Sequence, residues 1–340
     1  MHLTGIRERD RSPLGTSKAR QRGRATRCGR AALAASASLV AAAALAGPAA
    51  ASQQAYTFHT HNNRRDLTFN QLLGINNSGL IAGYFGSGAQ GHPNKGYLLS
   101  PPYGPFNYVN ENFPGSVQTQ VTGLNNRGVT VGFWSSMNNQ NMVNDNFGFY
   151  TFGGRFHRVT FPSKTNDATP PVAQLLGVND QDIAVGFDTD ANGNSHGYIY
   201  RIFGGSFTEI KIQGSSSVTA AAINDRDDIA GFETGSNGVT DGYLLKAGHL
   251  TTLAYPGATM TQALGVNDND EVVGVYTVGS GSSAQMHGFT WTSHKGFQTV
   301  DDPHGKGTTT INGVNDAGDL VGFYVDSKGN TDGMLATPRH

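Results

Sequence analysis

The stretch Gln120-Val121-Thr122-Gly123-Leu124-Asn125-Asn126-Arg127-Gly128-Val129-Thr130-Val131-Gly132-Phe133-Trp134 reads as two short apolar runs around Asn-Asn-Arg-Gly. Asn and Gly tolerate positive φ, so those four residues predict a tight turn between antiparallel strands at 118–124 and 129–134. A polar loop follows, then further strands at 147–152 and 156–161 around the Gly153-Gly154 turn. Two hairpins in series make a four-stranded meander.

The phrase recurs. Gly74-Ile75-Asn76-Asn77, Gly123-Leu124-Asn125-Asn126, Gly177-Val178-Asn179-Asp180, Ala222-Ile223-Asn224-Asp225, Gly265-Val266-Asn267-Asp268 and Gly313-Val314-Asn315-Asp316 are six copies whose first Asn residues lie 49, 54, 45, 43 and 48 apart. That period fits a propeller blade and is far longer than a β-helix rung. The sixth copy stops after its third strand, at Gly333-Met334-Leu335-Ala336, while Tyr56-Thr57-Phe58-His59 precedes the first copy as Phe297-Gln298-Thr299-Val300 precedes the sixth. The expectation is an all-β, six-bladed β-propeller of four-stranded antiparallel blades, closed by an N-terminal strand that completes the last blade. An open array would instead leave two bare sheet edges.

Composition agrees with short strands and turns: 46 Gly, 18 Phe and 12 Tyr accompany only 14% charged residues in 340. The formal net charge of -1 lacks the basic surface that phosphate backbones require, so nucleic acid is not an expected partner. Positive charge is concentrated in the first thirty residues, an Ala-rich run follows at 31–46, and Gly47-Pro48-Ala49-Ala50-Ala51-Ser52 supplies a helix breaker and a small-x-small cleavage site. We read 1–51 as a signal peptide and 52–340 as one repeat domain, exported to the periplasm or medium, monomeric and with no membrane span after cleavage. Cys28 leaves with the signal, so the exported chain has no thiol and holds together without disulfides.

The repeated Gly-φ-Asn-[Asn/Asp] phrase, the strand His-Gly-[Phe/Tyr] at His196-Gly197-Tyr198 and His287-Gly288-Phe289, and the closing Leu250-Thr251-Thr252-Leu253-Ala254-Tyr255-Pro256-Gly257-Ala258 together resemble the bacterial extracellular HAF-repeat family. The first two copies depart from it, with Lys95 and Asn146 or Phe147 at the His position. The resemblance implies secretion and a repeated β architecture, and it implies no activity.

Variable loops on a rigid scaffold are where binding resides, which selects the end that carries the loops between the second and third strands. Two rings of residues are expected there. Three positions before each phrase Gly stand Gln71, Gln120, Gln174, Thr219, Gln262 and Thr310, polar groups suited to a sugar or to ordered water. At the end of each second strand stand Phe85, Trp134, Asp188, Glu233, Tyr276 and Tyr324, aromatic faces and carboxylates of the kind that carbohydrate sites use. Asp188 and Glu233 occupy equivalent places in neighbouring copies and would form a glycosidase acid-base pair at about 5 to 9 Å.

Asp188, Asp190, Asn192 and Asn194 also alternate like a calcium loop, although the twelfth position is Ile199 rather than Glu; no other cofactor is called for. The leading expectation is a non-catalytic protein binding a glycan or extracellular surface through the variable loops. The alternatives are a carbohydrate-active hydrolase using the two carboxylates, and a structural matrix protein.

Overall fold

The computed structural model describes residues 56–137, 144–162 and 166–339, so the expected signal peptide and Cys28 lie outside the described residues. The described chain is all β. A lone strand, β1 (Tyr56–Thr60), comes first. The first copy supplies β2 (Asn70–Ile75), β3 (Ile81–Phe85), β4 (Lys95–Leu99) and β5 (Tyr108–Asn110), and the second β6 (Gln118–Leu124), β7 (Thr130–Ser135), β8 (Phe147–Phe152) and β9 (Arg155–Arg158). The third supplies β10 (Ala173–Val178), β11 (Ile183–Thr189), β12 (Ser195–Arg201) and β13 (Ser206–Glu209), and the fourth β14 (Ser215–Ile223), β15 (Ile229–Gly235), β16 (Thr240–Lys246) and β17 (His249–Leu253). The fifth holds β18 (Met260–Val266), β19 (Val272–Val278), β20 (Gln285–Thr292) and β21 (Gly296–Val300), and the sixth β22 (Thr310–Val314), β23 (Leu320–Val325) and β24 (Thr331–Pro338).

Each copy forms its own antiparallel meander, and among the described residues no sheet closes on itself. One parallel pairing, Thr240 with Met260, joins the fourth and fifth copies into a single eight-stranded sheet. The sixth copy is completed from the other terminus: β1 pairs antiparallel with β24, Tyr56 opposite Pro338 through Thr60 opposite Met334. Without β1, the edge of β24 would present unpaired backbone groups.

The repeated Asn explains itself. The Asn125 Oδ1 accepts the backbone N–H of Arg127 at 3.0 Å and of Val129 at 2.9 Å, fixing its own turn, while Nδ2 donates to the Asn179 carbonyl at 2.9 Å in the next copy. The links to the next copy run on from Asn179 to Asn224, Asn224 to Asn267, Asn267 to Asn315 and Asn315 to Asn76, and Asn76 donates to the Asn125 carbonyl. All six side chains are buried, so the polar groups of the turns are satisfied by one residue type that offers both donor and acceptor. The next residue forms a parallel circuit, in which each backbone N–H of Asn77, Asn126, Asp180, Asp225, Asp268 and Asp316 reaches the neighbouring copy's side-chain oxygen.

A β-bulge precedes the phrase Gly, or Ala222 in the fourth copy, in every first strand, as at Val121/Gly123, and leaves one residue out of the cross-strand register. Opposite it, the second-strand Gly lies against backbone: a Cβ on Gly132 would collide with the Gln120 carbonyl and crowd Phe149. The ring of Phe149 lies over that gap and is fully buried, as are Tyr97, Tyr243 and Phe289 at the same place in other copies. The core therefore sits between neighbouring sheets, where Val131 of the second copy meets Leu175 and Ala184 of the third.

Candidate functional site

The six out-of-register residues Leu73, Thr122, Leu176, Ala221, Leu264 and Asn312 line a central cavity of about 280 Å³. Thr122 and Asn312 turn their polar atoms onto backbone, Thr122 Oγ1 to the Leu175 carbonyl at 2.8 Å and Asn312 Nδ2 to the Leu72 carbonyl at 3.0 Å. At the first-strand start, the end that also carries the variable loops, Gln71, Gln120, Gln174 and Phe133 complete the lining. Toward the Asn circuit, a belt of Ile75, Leu124, Val178, Ile223, Val266 and Val314 is shared with a smaller space of about 70 Å³.

The amides are held at one end. Gln71 Oε1 accepts from the Tyr84 hydroxyl at 2.9 Å, Gln120 Nε2 donates to Asn94 Oδ1 at 2.9 Å, and Gln174 Nε2 donates to Asn146 Oδ1 at 2.8 Å. Among the described residues, the other end of each of these amides makes no hydrogen bond. A fixed amide with one open end is a directional group ready for a polar ligand. Gln262, opposite Val275 in the fifth copy, does not line the cavity, nor do Thr219 and Thr310.

The second expected ring is placed elsewhere. Phe85, Tyr276 and Tyr324 are 7%, 5% and 3% exposed and belong to the packing between sheets. Trp134 stacks on Phe113 at 4.4 Å between ring centres, with Phe147 at 4.9 Å and the Arg158 guanidinium 4.2 Å from the Phe147 ring. Tyr276 is stacked between Tyr255 at 3.5 Å and His287 at 5.2 Å, and burial pushes its hydroxyl pKa far up. The Tyr324 hydroxyl bonds Thr60 Oγ1 at 2.8 Å, tying β1 to the sixth copy. Phe85, Tyr276 and Tyr324 are covered by protein and offer no face to a sugar, and Trp134 is half-buried with Phe113 stacked on it.

The reason is the period of two. Phe85 and its counterparts share the face of the second-strand Gly, which is crowded by the first-strand carbonyl and, in four copies, by the buried third-strand ring, so they are packing residues. One residue earlier, Tyr84, Phe133, Phe187, Phe232, Val275 and Phe323 stand directly opposite the Gln/Thr ring. Five aromatic residues and Val275 therefore accompany the Gln/Thr ring, one position before the expected ring of Phe85, Trp134, Asp188, Glu233, Tyr276 and Tyr324.

Asp188 and Glu233 do not face one cleft. Asp188 shares its face of β11 with Ala184, which packs toward Val131 of the second copy, and it borders Phe147 and Arg158 of that copy. Glu233 pairs with Val218, which packs against Ile183 and Val185 on the opposite face of β11. The third sheet thus lies between the two carboxylates. Glu233 instead faces Asp241 across β15 and β16, where burial, then the Glu233 charge, pushes the Asp241 carboxyl up.

In the expected calcium loop, Asp190 Oδ1 accepts the N–H of Asn192 at 2.8 Å and of Asn194 at 2.9 Å, and Oδ2 takes the Asn194 amide at 3.2 Å. Burial alone would raise this carboxyl, but those hydrogen bonds together hold it below the usual range. The same turn recurs at Asp326 with Lys328 and Asn330. Among the described residues no three His, Cys, Asp or Glu side chains cluster as metal ligands. His287 Nδ1 meets Asp301 Oδ2 at 2.7 Å and His196 Nδ1 meets Glu209 Oε1 at 3.3 Å, so the repeated His is a partner for a fourth-strand or adjoining carboxylate.

No helix among the described residues is long and apolar enough to cross a membrane. No protein-family model matches the sequence, and no curated protein does. Solved structures with a similar course of chain include a triple mutant of AofleA from Arthrobotrys oligospora (11% identity, TM-score 0.49, 82% of this chain and 86% of that one). The fucose-specific lectin from Aleuria aurantia is similar at 10% identity and TM-score 0.45, over 84% of this chain and 96% of that one. TolB from Acinetobacter baumannii is similar at 8% identity and TM-score 0.47, and the match covers 76% of this chain and 64% of TolB. No residue role follows from similarity at this level.

Proposed function

We propose that the six meanders form a closed six-bladed β-propeller of HAF-type repeats, exported after loss of residues 1–51, that binds neutral glycans without catalysis at the variable-loop end. Closure is supported by the pairing of β1 with β24 and by the Asn circuit that returns from Asn315 to Asn76. Export is supported by the basic, Ala-rich, small-x-small pattern of the first 52 residues.

The observation that carries the binding function is the set of three half-engaged amides, Gln71, Gln120 and Gln174, around a cavity mouth that also holds Phe133. Amide ends bond sugar hydroxyls, and an aromatic face covers sugar C–H surface. The sheet that lies between Asp188 and Glu233 counts against these two carboxylates as the acid and base of a hydrolase.

A glycan array probed with the wild-type protein and with Gln120→Ala tests this. The reading expects neutral glycans to be retained and the variant to bind about tenfold more weakly, as loss of one or two ligand hydrogen bonds implies. Absence of any glycan signal from protein that melts cooperatively would sink it.

A further inference from the structure

The cavity below the amides has a chemistry that a sugar alone does not match. None of its lining side chains is charged. The wall supplies no counter-charge to an ionic group, which favours a neutral occupant. The Thr122 hydroxyl and the Asn312 Nδ2 donate to backbone carbonyls, and most of the other side chains on the wall are apolar, Leu73, Leu176, Ala221 and Leu264 above the Ile, Leu and Val belt. An apolar guest that covers the Leu, Ala, Ile and Val side chains of this wall displaces water from them, which is favourable. The volume of about 280 Å³ equals roughly nine waters at ~30 Å³ each, room for an alkyl chain or an aryl ring but not for an oligosaccharide.

We infer that the central cavity takes the apolar tail of a neutral amphiphile, an alkyl or aryl glycoside, whose polar head is held by Gln71, Gln120 and Gln174. The head-group half rests on the glycan-binding reading; the tail half rests on the cavity alone. Ala221 decides how much tail fits. It is the smallest of the six out-of-register residues, and it opens the wall where neighbouring copies place Leu176 and Leu264.

The test is calorimetric titration of the protein with methyl, butyl and hexyl β-D-glucoside and with 1-hexanol, each below its aggregation concentration. Burial of successive methylenes predicts affinity rising about fourfold per carbon until the cavity is full, and Ala221→Trp, which fills the space, abolishes that rise. Affinities that are equal along the series, or a rise that Ala221→Trp leaves intact, overturn the inference. If Ala221→Trp fails to melt cooperatively, Leu264→Gln, which puts an unpaired amide on the wall, must flatten the series instead. A positive glycan array with no effect of chain length removes the tail site and spares the glycan reading. Hexanol binding blocked by Ala221→Trp, beside a blank array, does the reverse.

Discussion

Asn125 serves two turns at once, and its replacement separates the two roles. Asn125→Ala leaves the half-buried N–H of Arg127 and the buried N–H of Val129 without an acceptor and the Asn179 carbonyl without a donor. Buried unsatisfied groups cost about 1–3 kcal/mol each, so urea unfolding should show a loss of about 3 kcal/mol; a loss under about 0.5 kcal/mol would mean that the circuit contributes nothing. The neighbouring acidic positions behave in the opposite sense. Burial first, then the charges of Asp180 and Asp268, push the Asp225 carboxyl up, although its Oδ1 still accepts the Asp180 N–H at 2.7 Å. A carboxyl whose pKa is higher folded than unfolded contributes most when both states are protonated and loses that contribution as pH rises through the folded value. Asp225→Asn keeps the acceptor, as Asn77 and Asn126 do in the first two copies, and removes the charge. Thermal melts should therefore place the variant above wild type at pH 7, by about 0.5 kcal/mol at this half-exposed site, with the gap closing below the ordinary carboxylate range. A gap that widens toward acid would contradict the sign.

Among the elements, β1 carries the most consequence for its five residues. It supplies the fourth strand of the last sheet and packs Tyr56, 5% exposed, against the cluster of Val273, Val300, Ile311 and Met334. Tyr56→Ala should lower unfolding free energy by about 3 kcal/mol and raise aggregation through the loosened edge, read by denaturation and light scattering; an unchanged midpoint would show that β1 is dispensable. Elements of this kind were legible in the sequence because the six copies could be laid over one another, so a strand missing after Ala336 and present at Tyr56 stood out. The first three strands of the second copy lie within one residue of the expected bounds because Asn-Asn-Arg-Gly and Gly153-Gly154 are turn signals with a backbone cause, while the fourth ends at Arg158 rather than at 161. The candidate site was less legible. Which side chains of β6 and β7 share a face depends on the bulge of β6 at Val121/Gly123, and the phrase Gly hints at a bulge without saying which residue leaves the register. That single register fact moves Trp134 into a stack and Phe133 to the mouth. The Gly at 132 was the available signal, since a residue with no side chain marks the crowded face.

Over the whole molecule, the same repeat does two things at its two ends. At one end invariant Asn residues bind each copy to the next, and at the other the loops vary while Gln71, Gln120 and Gln174 hold one amide end each toward a neutral cavity. The carboxylates that a hydrolase would need lie on opposite sides of the third sheet. The central claim is that ligand meets the amides and not the stacked aromatic rings between sheets. It is tested most directly by recording side-chain N–H resonances of the ¹⁵N-labelled protein while titrating in a glycan retained on the array. The account predicts that the Gln71, Gln120 and Gln174 amide signals shift with occupancy while the Trp134 indole, buried beside Phe113, stays in place. A shifting Trp134 indole with unmoved glutamine amides would place the site between the sheets and contradict it.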